Sequence, residues 1–118
     1  MLSWDQVTRL LIKSLSDEER ETSVIYLDQR IFEEDTAIEI AGVESQLSKA
    51  TMIAFVDLDP MANWGHACRY VLVDPEGGDL VSADAQFPPF MRDYPPTLRV
   101  IWVGENVPDW AVDHGPPE

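Results

Sequence analysis

Near the start of the chain apolar residues return at helical spacing, and after it they return at strand spacing. Val7, Leu10, Leu11, Ser14 and Leu15 fall on one face of a helix. Ser3 and Gln6 have the spacing of a capping box, and Leu2 is placed to staple that cap against Val7. The run Asp17-Glu18-Glu19-Arg20-Glu21 either prolongs this helix on a solvated face or opens a second one capped by Ser16.

From Ser23 the pattern becomes β-branched and alternating. Val24 to Leu27 reads as a strand, and Ala37 to Ala41 as another that stops at Gly42, with Glu33-Glu34-Asp35 as an exposed turn between them. Thr51 to Val56 is almost continuously apolar, as expected of a central strand covered on both faces, and Asp57-Leu58-Asp59-Pro60 ends it. Arg69 to Val73 and Asp79 to Ala83 flank the turn residues Asp74-Pro75-Glu76-Gly77-Gly78 and predict a hairpin. Residues 86–96 contain four prolines and predict an irregular loop before a last strand at Leu98 to Val103, in which Trp102 is assigned to the core. Pro108 and Gly115-Pro116-Pro117 mark a loose end, with Trp110 as its anchor or part of a surface patch and His114 solvated. The expected fold is one α+β domain over residues 1–118: a small, mostly antiparallel sheet of five or six strands packed on one side by the N-terminal helix.

Composition supports an ordered chain. Its 118 residues are 45% hydrophobic, with four Trp, four Phe and three Tyr, enough for one modest core. Charge changes the picture more: 22 acids against 8 bases give a formal net charge of −14. The excess is spread along the chain rather than held in a tail. Such a field disfavours nucleic acid and anionic membrane and speeds encounter with basic partners, and it also keeps a protein soluble. Cys68 is the only cysteine, which rules out an intramolecular disulfide. No charged-then-apolar leader opens the sequence, so a reducing, cytoplasmic location is the expectation.

The densest group of chemically interesting side chains is Asp57, Asp59, Asn63, Trp64, His66, Cys68 and Arg69. His66 and Cys68 on one side of an extended segment, with an aspartate to orient the imidazole, are a minimal nucleophilic set, and this reading requires a depressed thiol pKa next to Arg69 or a protonated His66. Against it, no Gly-rich oxyanion loop precedes Cys68, base and nucleophile share one segment, and a lone cysteine beside a strand is a common core residue. Paired Cys or His at zinc spacings are missing, so no metal or other cofactor is expected. Asp57 and Asp59 suit either a hard cation or, more simply, the turn N–H groups of a strand terminus. Gly77-Gly78 lacks the lysine and hydroxyl of a phosphate loop and is a turn.

Phe87, Phe90, Met91 and Tyr94 sit among prolines in the 87–96 stretch, which either caps the open face of the sheet or presents an apolar protein-binding surface. The functional expectation is a protein-binding or inhibitory domain, such as an immunity protein, a phage-type inhibitor or an adaptor, docking on a basic partner surface, with nucleic-acid mimicry as a variant. Its candidate binding residues are Asp57, Asp59, Trp64, Arg69, Asp74, Asp79, Phe87, Phe90, Met91 and Tyr94. A regulatory or pro-domain-like module using loop 87–96, and a small Cys/His enzyme centred on residues 57–69, are the alternatives. The partner is expected to be another protein rather than nucleic acid or membrane.

Overall fold

A computed structural model describes residues 1–40, 42–62, 66–86 and 95–113. Helix α1 (Trp4–Lys13) starts at the expected box: the Gln6 N–H donates to Ser3 Oγ, and the Ser3 N–H donates to Gln6 Oε1 at 2.8 Å. A second box, Ser16 with Glu19, starts a separate helix α2 (Asp17–Thr22), so the acidic run opens a new element.

Among the described residues seven strands follow: β1 (Val24–Asp28), β2 (Ala37–Ile40), β3 (Val43–Gln46), β4 (Met52–Asp57), β5 (Cys68–Val73), β6 (Leu80–Ala85) and β7 (Leu98–Val103). Five form one antiparallel sheet in the order β6-β5-β4-β1-β7, and β2 and β3 form a hairpin of their own. The class is therefore α+β, with two corrections to the expected sheet. Strand β3 has no apolar alternation to reveal it, and β2 pairs with β3 rather than joining the main sheet.

Period-two alternation divides the apolar residues between two faces of the sheet. Ile25, Leu27, Met52, Ala54, Val56, Val71 and Val73 pack against Val7, Leu11 and Leu15 beneath the helices. Val24, Tyr26, Phe55, Cys68 and Tyr70 face the other way, and they are covered by Ile38 and Ile40 of the hairpin and by Val107 and Val112 near a 3₁₀ turn at Asp109–Ala111. β1 and β4 are buried on both faces, which explains their near-continuous apolar sequences. Among the described residues no helix is long and apolar enough to cross a membrane.

Candidate functional site

At one end of the sheet Asp57 closes β4 with its side chain turned into the second face, only 7% exposed. Its Oδ1 accepts the Asp59 N–H at 3.1 Å and lies 2.8 Å from His66 Nε2. Burial raises the Asp57 pKa, outweighing the lowering effects of His66 and the Asp59 N–H. Cys68 stands directly across from Asp57 in the β4–β5 ladder and is buried. Burial first, and then the Asp57 carboxylate, push the thiol up to about 11. The nucleophilic reading needs the opposite shift, because the thiolate is the reactive form. Arg69 does not relieve this: it points to the helix face, 3.1 Å from Glu19 and 3.9 Å from Asp84. Asp57, His66 and Cys68 therefore form a packed corner of the core.

A test follows from the raised Asp57 pKa. The native state takes up the Asp57 proton at a higher pH than the unfolded chain does. Ionised Asp57 thus costs stability at neutral pH, and the cost disappears as pH falls through the folded pKa toward the unfolded value. Asp57→Asn keeps an oxygen for the Asp59 N–H and the imidazole, so at pH 7 it should equal wild type or exceed it by up to about 1 kcal/mol. Urea titrations at pH 7 and pH 4 should show that margin shrinking at the lower pH.

Asp74 and Asp79 lie at the opposite end of the same ladder, where the Asp74 N–H donates to the Asp79 carbonyl. The Asp74 carboxylate accepts the Glu76 N–H and sits 3.2 Å from Lys49 Nζ. Those N–H groups, Glu76 before Gly77, and then Lys49 hold its pKa below the ordinary range. Asp59 and Asp79 are exposed. The four aspartates are thus split between two ends of the sheet, and two of them organise the fold. Trp64, Phe87, Phe90, Met91 and Tyr94 lie outside the described residues.

No family model, curated protein or solved structure matches the chain. The site therefore rests on geometry alone.

That geometry draws attention to the β2–β3 hairpin. Residues 31–48 hold five acids, Glu33, Glu34, Asp35, Glu39 and Glu44, and no base. All five are exposed. Glu39 and Glu44 are directly opposite one another across the hairpin, and no described ion pair reaches either: Arg20, Arg30, Lys49 and Arg69 are engaged by Asp17, Asp28, Asp74 and Glu19. Like charges in facing positions destabilise a two-stranded ribbon. Gly42, at φ +81° in the turn, sets the register that brings them together. The sequence signal was there: Ile40 and Val43 flank Gly42, and Glu39 and Glu44 are the next residue out on either side.

Beneath the hairpin a cleft of about 430 Å³ opens onto the sheet, with Val43, Leu72, Val81 and Ala83 as apolar lining and Lys49, Asp74 and Asp79 at its edge. Among the described residues no group of three or more His, Cys, Asp or Glu side chains is arranged to hold a metal ion.

Proposed function

We propose that this domain binds a protein with a basic surface, as an inhibitor or adaptor, and that the acidic hairpin is the element that meets it. The observation that carries this reading is the facing pair Glu39 and Glu44, in a 31–48 segment of five acids and no base. A local conflict of this kind lowers the stability of the free protein and is relieved when cations from a partner arrive, and breaches of local design rules are expected at functional sites. The net charge of −14 adds long-range attraction of the same sign. A cytoplasmic setting belongs to the same reading.

Glu44→Lys separates function from fold. It converts the like-charge pair into an opposite-charge pair, so the variant should gain roughly 0.2–1 kcal/mol in stability by thermal or urea unfolding. It should at the same time bind its partner roughly tenfold more weakly at low salt. The assay is affinity capture from native-host lysate at low and moderate salt, with wild type and variant side by side and mass spectrometry of the eluates. A basic protein retained by wild type, released by salt and lost with the variant is the expected result. A partner held equally by both proteins at both salts would sink the proposal.

A further inference from the structure

The main sheet has two outer strands, and they are not alike. β7 is interrupted by a register shift opposite Ile25 and Tyr26, which bends a strand and spoils it as a template. β6 pairs with β5 over six consecutive residues with no shift, and it contains no proline and no lysine. Outside that ladder no backbone hydrogen bond among the described residues involves Leu80 to Ala85.

The free groups can be assigned. In an antiparallel ladder hydrogen-bonded and non-hydrogen-bonded pairs alternate. The Asp74 N–H to Asp79 carbonyl bond at 2.9 Å marks that pair as bonded, so Leu72 with Val81 and Tyr70 with Ala83 are bonded as well. The N–H and C=O groups of Leu80, Ser82 and Asp84 then point away from β5. Val81, 62% exposed, turns its side chain toward the cleft, while Asp84 turns to the opposite face.

We propose, resting on the reading above, that β6 receives an extended basic segment of the partner protein as an added strand. Its backbone pairs with Leu80, Ser82 and Asp84, and alternate side chains enter the cleft beneath the hairpin. Strand addition of this kind draws affinity from main-chain bonds and selectivity from pockets for every second side chain. Charge complementarity fixes the chemistry of the occupant. Asp79 and Asp84 flank the edge, with Arg69 3.9 Å from Asp84 on the helix side, and among the described residues that line the cleft the one cation, Lys49, is held by Asp74. A segment alternating small β-branched residues with Lys or Arg satisfies both faces at once.

The probe is an acetylated, amidated octapeptide of alternating lysine and valine, titrated into the whole protein. Its control is the same peptide N-methylated at alternate residues, which keeps charge and side chains but loses the donors of one edge. At saturation the amides of Leu80, Ser82 and Asp84 should gain protection from hydrogen exchange, and the control should bind at least tenfold more weakly. Ser82→Pro, which removes an outward N–H while leaving the β5 ladder intact, should weaken the unmodified peptide to a similar degree. Equal binding of both peptides, protection elsewhere on the molecule, or pairing of β6 with a second copy that shuts the peptide out would each overturn the edge assignment. Because Glu44→Lys tests the charge reading separately, loss of the edge effect alone leaves that reading in place.

Discussion

Phe55→Ala should lower the unfolding free energy by about 3–5 kcal/mol, the largest loss expected from a single truncation in this protein. Phe55 is the middle of an aromatic row that crosses three strands, with Tyr26 opposite it on β1 and Tyr70 opposite it on β5. Its ring centroid is 5.9 Å from that of Tyr26 and 5.6 Å from that of Tyr70, and the second contact is edge-on. Such pairs add to the benefit of burial itself. Neighbours cannot close over the missing ring, because Tyr26 Oη accepts the Asp113 N–H and so ties the row to the covering C-terminal segment. Burial, followed by Cys68 and Glu39, raises the Tyr70 phenol to about 12. Urea denaturation gives the energy, and ultraviolet titration of the tyrosines should show the phenol titrating lower in the variant. A loss below about 1 kcal/mol would mean that the second face is not a packed core.

Gly104→Ala is the second large effect, and here the cause is closeness. A Cβ on Gly104 would collide with the Glu21 carbonyl and lie 2.8 Å from the Arg20 carbonyl, both of them backbone atoms that cannot rotate away. The same junction is bonded three ways: Gly104 N–H to Ser23 O at 2.9 Å, Asn106 N–H to Glu21 O at 3.0 Å, and Trp102 Nε1–H to Arg20 O at 2.8 Å. Making room means prising the end of β7 from the end of α2. The cost should be about 1–3 kcal/mol, near the top of that range. The Trp102 indole resonance should move as its acceptor is displaced, whereas Gly42→Ala, with open space around it, should leave that resonance in place. An unshifted indole together with unchanged stability would show that the junction yields easily.

Much of the fold was legible because it is local. The Ser3 and Gln6 cap, the apolar runs of β1 and β4, and the turn between β5 and β6 each declare themselves within a few residues. β3 did not, since Val-Glu-Ser-Gln becomes a strand only by pairing with β2. The seating of that hairpin on the aromatic row was also hidden, because it depends on Ile38 and Ile40 meeting residues from several distant strands. The candidate site suffered most from reading neighbours in sequence as neighbours in space. Asp57 and Asp74 end up at opposite ends of one ladder, and Arg69 pairs with Glu19, fifty residues upstream.

The order of the sheet also bears on how the chain is made. β1 lies between β4 and β7, so one of its neighbours is synthesised well before the other, and among the described residues five strands, β2 to β6, come between β1 and the second of them. Until the ribosome has passed Val103, β1 has one bare flank, and the Trp102 and Gly104 seam with α2 cannot form. Pairing over such separations is slow, because a long loop must close before any contact rewards it. A nascent chain paused before Leu98 therefore offers the bare flank of a strand whose five residues are all buried in the finished fold, which makes that interval the one in which a chaperone has something to hold.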